Sequence, residues 1–150
     1  MRIYLDNCCY NRPYDDQENI NVFLETQCKL YIQNLIKKKE HTLVASYMLR
    51  YESGANPNPM RRDAINNFIR DNASIYVGIE DKATIEILAH EIMQTGIKFK
   101  DACHVSSAIY AECDYFISTD KRLLKYKTNK IKMVTPIQFV TETEEESNNG

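Results

Sequence analysis

At 150 residues the chain has the size of one domain, enough to bury roughly two-thirds of its unfolded surface around a single core. An apolar share of 43% and a charged share of 27% are ordinary for a globular protein, and no run approaches the ~18 apolar residues of a membrane span. The net charge of −2 neither demands nor forbids a nucleic-acid partner: the last ten residues hold four Glu and no base, and the remainder carries +2.

The opening reaches an acid at its sixth residue, too early for a secretion leader, and a cytoplasmic protein is expected. Five cysteines, an odd number with no CxxC pair, read as reduced thiols rather than a disulfide framework or a zinc site.

In chain order, Ile3-Tyr4-Leu5 reads as a strand ended by Asp6-Asn7. Glu18 to Lys39 places Ile20, Phe23, Leu24, Leu30, Tyr31, Leu35 and Ile36 at helical spacing, an amphipathic helix. Thr42–Ala45 is a second strand, after which Ser46 can cap a helix over Tyr47–Ser53. Gly54 and Asn-Pro-Asn-Pro close that helix, and another runs from Pro59 to Arg70. Ser74–Gly78 is a third strand. Helices follow over Glu80–Thr95, stopped by Gly96, and over Asp101–Ala111. Tyr115–Ser118 is a fourth strand, Lys121–Tyr126 a short helix and Ile131–Val134 a fifth strand. From Thr141 the acidic tail, 141–150, reads as disordered, leaving 1–140 as the domain. Short strands separated by helices predict a parallel sheet covered on both faces, an α/β three-layer sandwich.

Two acids, Asp6 and Asp120, end predicted strands, where ligands of open α/β sheets gather. Each also has a structural reading as a cap of the following element. Asp101 stands at a helix start, a good N-cap, with His104 one turn on along the same face. His104 alone reads as a half-buried structural histidine, and Glu52, near the end of its short helix, as a surface acid. Together the four carboxylates match what hard divalent cations require. Without a cation they would raise one another's pKa.

These residues closely resemble those of the PIN-domain nucleases, in particular the VapC-type toxin nucleases of toxin–antitoxin pairs. The resemblance spans nearly the whole chain to about residue 140. It is carried by IYLDNCCYNRP, by LRYE and by FKDACHVSSAIYAECDYFISTDKRLL. It implies a five-stranded sheet ordered 3-2-1-4-5, with Asp6, Glu52, Asp101 and Asp120 as one Mg²⁺ or Mn²⁺ site that hydrolyses RNA. It also implies a homodimer and an antitoxin partner. Family members often carry Ser or Thr near the first strand, where this chain has Asn7, Cys8 and Cys9.

Around that site, Asn7 and Asn11 are placed to orient water or phosphate, and His104, Ser118 and Thr119 to support the acids from behind. Arg12, Arg50, Lys121 and Arg122 are candidate phosphate contacts. Asp114, before the fourth strand, sits at the wrong end and reads as structural. The alternative within the family is a PIN domain that binds RNA or acts as a scaffold without cleaving it. A phosphatase with an aspartate nucleophile would want a second acid where Cys8 stands, and a thiol phosphatase would want a Cys-x5-Arg loop that is absent.

Overall fold

A computed structural model describes residues 1–149. Five short strands, β1 (Arg2–Leu5), β2 (Thr42–Ser46), β3 (Ala73–Val77), β4 (Tyr115–Ile117) and β5 (Lys132–Val134), form one parallel sheet in the order β3-β2-β1-β4-β5. Both the class and the order are those expected.

The strands are too apolar for a one-sided sheet, and each face is covered. Ile3 and Leu5 point to one side with Leu43, Tyr115 and Ile117. There they meet α2 (Ile20–Lys37), α4 (Pro59–Asn72) and α7 (Pro136–Asn149) through Ile32, Ile36, Ile65, Ile69 and Phe139. Tyr4, Val44 and Phe116 point to the other side, against α5 (Lys82–Met93) and α6 (Phe99–Tyr110). The register pairs Ile3 with both Leu43 and Tyr115, so β1 is the centre of the molecule.

Expected caps are in place. Ser46 accepts the Leu49 N–H at the start of α3 (Tyr47–Gly54), and Asn58 accepts from Met60 and Arg61 ahead of Pro59. Gly96 adopts φ 99°, a left-handed conformation that suits glycine, in the turn after α5.

Four expectations need correction. A five-residue helix, α1 (Asn7–Asn11), and a 3-10 turn (Arg12–Tyr14) follow β1 directly, where the sequence showed no periodic pattern to mark them. The short helix expected over Lys121–Tyr126 is only a 3-10 turn, Leu123–Lys125.

Third, the acidic stretch from Thr141 is not a disordered tail but the continuation of α7. Phe139 anchors it in the core with 0% exposure, and Glu142 and Glu144 accept hydrogen bonds from the Tyr115 and Tyr31 hydroxyls. Gly150, the last residue of that stretch, lies outside the described residues.

Fourth, α2 buries little of its expected apolar stripe, only Ile36 of it lying in the core. Its inward face is Glu25, Thr26, Lys29, Ile32 and Ile36, while Ile20, Phe23, Leu24, Leu30 and Tyr31 are exposed. The inward charges are tolerated because each has partners. Arg12 and Asn21 reach Glu25, and Lys29 donates to Gln33 across the rings of Tyr10 and Phe68. Burial drives the Lys29 pKa down to about 8, with Lys37 adding to the effect and Cys9 opposing it. Among the described residues no helix is long and apolar enough to cross a membrane.

Candidate active site

Asp6 follows β1 immediately, and its N–H still bonds Ile117 of β4, so the sheet itself sets its position. The side chain is buried and fully engaged. Oδ1 accepts the Asn7 N–H at 2.8 Å, and Oδ2 accepts the Ser118 hydroxyl at 2.8 Å and the Cys8 thiol at 3.4 Å. Asp120 comes two residues after Ser118 and donates its own N–H to Ser118 Oγ at 3.0 Å. Its Oδ1 accepts the N–H groups of Arg122 and Leu123, so Asp120 does cap the turn that follows. Oδ2 has no such duty among the described residues.

Helix α6 begins at Phe99, with Lys98 at its cap position. Asp101 therefore stands inside the first turn rather than capping it, which leaves its carboxylate uncommitted to the helix end. Glu52 comes from α3 and is held by His104 of α6, through Nε2 and Oε1. The other ring nitrogen of His104 lies 2.6 Å from the Tyr4 hydroxyl, which lies 2.6 Å from Ser46 Oγ. This chain of polar atoms, wholly buried except at Glu52, ties β1, β2, α3 and α6 to one carboxylate.

Glu52, Asp6, Asp101 and Asp120 line a single open cleft of about 330 Å³, together with Asn7, Cys8, Asn11 and Asp15. Burial and then the charges of Asp6, Asp120 and Glu52 raise the Asp101 carboxyl to about 6, with His104 partly opposing. The Glu52 carboxyl moves the other way: the hydrogen bond from His104 lowers it despite burial. At His104 burial disfavours the charged ring, yet the bond to Glu52 and the charges of Asp6, Glu52 and Asp101 prevail and raise its pKa. In the imidazolium form both ring nitrogens donate, one to Glu52 and one to Tyr4, and Tyr4 passes its own proton toward Ser46.

Although the four acids share a cleft, no three Asp, Glu, His or Cys side chains among the described residues are yet gathered closely enough to enclose an ion. The reason is visible in the bonding. Asp6 is spent on Ser118 and Asn7, Glu52 leans on His104, and Asp120 caps the turn that follows it. The donors facing the cleft are nonetheless carboxylate oxygens from four separate elements. That set fits a hard cation retaining several waters, such as Mg²⁺ or Mn²⁺, and fits soft metals poorly.

The expected supporting residues fall into place unevenly. Ser118 bonds Asp6 and Asp120, and the Thr119 N–H meets Cys8 Sγ at 3.4 Å. Asn11 donates to Asn7 and accepts from Asn56, linking α1 to the turn after α3. Arg12 is not free for phosphate, being bound through three nitrogens to Glu25 and Asp15. Arg50 lines a different depression, with Asn66, Arg70 and Tyr76. Lys121 is exposed and lines neither hollow, so only Arg122 borders a cavity that also holds Asp101 and Asp120.

Sequence reasoning missed Tyr4 and Asp15 as members of this neighbourhood, and gave Cys8 no part in holding Asp6. Tyr4 had a usable signal: alternation along β1 puts it on the same face as Asp6.

The fold and cleft define a three-layer α/β domain with a parallel 3-2-1-4-5 sheet and acids at the carboxyl ends of its strands. No family model matches the chain, and no curated protein matches it either. Among solved structures it is similar to a chain of VapBC2 from Rickettsia felis, determined bound to a DNA fragment from their promoter. The identity is 14%, the TM-score 0.53, and the match covers 90% of this chain and 98% of that one. At such identity the likeness is one of fold.

Proposed function

We propose that this chain is a Mg²⁺- or Mn²⁺-dependent endoribonuclease that works at Asp6, Glu52, Asp101 and Asp120. The observation that carries the reading is that four carboxylates, delivered by four different elements, line one cleft at the carboxyl ends of the strands. The same fold in a VapBC2 chain supports extending the role to the toxin of a toxin–antitoxin pair, acting in the cytoplasm. The outward apolar stripe of α2 supports a protein partner, an antitoxin or a second copy in a homodimer.

Asp6, Asp101 and Asp120 would hold the cation and Glu52 would hold or orient the attacking water. When bound, the cation neutralises the phosphate and makes water a usable nucleophile near neutral pH. Ser118 fixes the angle of Asp6, and through its Oγ the same hydroxyl sets Asp120 beside it. His104 keeps Glu52 ionised and aimed, so that its carboxylate accepts a hydrogen bond from water instead of carrying a proton. In-line attack then leaves a 5′-phosphate and a 3′-hydroxyl.

The test is cleavage of a mixed RNA pool with Mg²⁺ or Mn²⁺, with EDTA, and by Asp6→Asn and Asp101→Asn. Each variant should lose more than ~100-fold in activity, since even partners of metal ligands cost 10–100-fold. Cleavage in EDTA, or full activity in both variants, overturns the mechanism. RNA binding without cleavage under any condition moves the assignment to an RNA-binding or scaffold domain.

A further inference from the structure

We propose that a single-stranded RNA reaches the carboxylates along the groove between the α5–α6 turn and the β4–β5 connection, with its phosphates on Lys98, Arg122, Lys125 and Lys127. This rests on the ribonuclease reading and adds the path of the substrate.

The groove has a volume of about 460 Å³ and is continuous with the carboxylate cleft, because Asp101 and Asp120 line both. Its cations come from two separate parts of the chain. Lys98 precedes α6, and the other three lie in the stretch 121–132, which holds six of the chain's 19 basic residues and no acid. Four cations outnumber the two carboxylates, Asp101 and Asp120, that line the same hollow, and the excess of positive charge favours an anionic ligand there.

Elsewhere on the surface some cations stand beside acids, Arg62 with Asp63, Arg70 with Asp71 and Lys82 with Glu86, and others such as Lys38 and Arg50 do not; what sets the groove apart is four cations lining one hollow. None of the four groove cations has an ion-pair partner among the described residues. The first turn of α6, at the groove's edge, also has no side-chain cap, so its N–H groups add positive potential there.

Two details select a single strand. Tyr126 lines the same groove, half-buried, and a base can stack on its ring only when it has left a duplex. Asp120, through its bonds to the Arg122 and Leu123 N–H groups, fixes the start of the basic segment to the acid itself. A phosphate held by Arg122 is thereby kept in register with the cleft.

The experiment is fluorescence-anisotropy titration of the full chain with a short labelled single-stranded RNA, in EDTA so that nothing is cut, across about 50–200 mM salt. Lys98→Gln/Lys125→Gln/Lys127→Gln should flatten the slope of log affinity against log salt by about 2, from three contacts at ~0.7 each on a single strand. Tyr126→Ala should weaken binding roughly tenfold with the slope unchanged, because stacking releases no ions. A charge-matched control, Lys38→Gln/Arg62→Gln/Arg70→Gln, should leave both quantities as they were; melting curves confirm that every variant folds.

Equal losses in the control, or an unaltered slope in the groove variant, overturn the path. If the unmodified chain cuts RNA with metal while the groove variant binds normally, the path fails and the ribonuclease stands. If the groove variant loses its slope but the unmodified chain never cuts, the path stands and the ribonuclease fails.

Discussion

At the amino ends of the strands an acid is committed to the sheet. Asp114 accepts the Arg2 N–H at 2.8 Å, its own N–H bonds the Arg2 carbonyl, its carbonyl takes the Lys132 N–H, and Arg2 reaches over to the Ala111 carbonyl. At the carboxyl ends of the same strands Asp6, Asp101, Asp120 and Glu52 face one another across a cleft, with His104 as the one buried cation-forming side chain between them. Asp114 and Asp120 flank one three-residue strand, yet one closes the sheet and the other opens onto the cleft. The chain thus spends its acids at one end on holding strands together. At the other it gathers them around one cleft, where burial and then the neighbouring acids raise the Asp101 carboxyl.

The largest break in this contrast should come from His104→Ala. Loss of the partner that aims Glu52 should lower cleavage and metal affinity by ~10–100-fold. It should also destabilise the fold by about 1–3 kcal/mol, since Glu52 loses its partner and the buried Tyr4 hydroxyl keeps only Ser46. Metal titrations and melts read both, and unchanged metal affinity would remove His104 from the site.

A pH series on Asp101→Asn without metal sharpens the contrast next. The folded carboxyl titrates at about 6 against an ordinary value of 3.8, so folding favours the protonated form. Its stability contribution is intact below about pH 3.8 and is lost as pH rises toward 6. The Asn variant should therefore melt like the parent at the low end and above it from about pH 6 upward. An advantage that is the same at both ends would sink the idea that burial and the neighbouring acids raise the Asp101 carboxyl. Adding Mn²⁺ at neutral pH should erase the advantage, because the cation rewards the carboxylate.

Smallest should be Asp114→Ala, with roughly 1 kcal/mol of stability lost for one hydrogen bond and no change in cleavage. A drop in activity there would mean that the two ends are not independent.

Much of this was legible beforehand, for reasons specific to particular residues. Ser46 and Pro59 announced their helices through capping chemistry that is local by nature. Asp6 and Asp120 stood out because a strand run stops at each. The remainder depended on contacts that no local window holds. The inward face of α2 carries Glu25, which Arg12 from outside the helix neutralises, so hydrophobic periodicity alone pointed largely to the other side. Composition made residues 141–149 look unstructured, but Phe139 and two tyrosine hydroxyls from other elements hold them as a helix. Arg12 itself looked like a phosphate ligand until Glu25 and Asp15, 13 and 3 residues away, claimed it.

The placement of β1 at the centre of the sheet bears on how the chain is made. Its strand is synthesised first, but the hydroxyl that fixes Asp6 belongs to Ser118, 112 residues later. At translation rates of ~5–20 residues per second, that is an interval of roughly 5–20 s. Throughout it a nascent chain has Asp6 without its holder; Asp101 is made only 17 residues before Ser118, and Asp120 two residues after it. The acids meet only late in synthesis, after β4 has slotted against β1, so a chain that ends before Ser118 carries no assembled cleft.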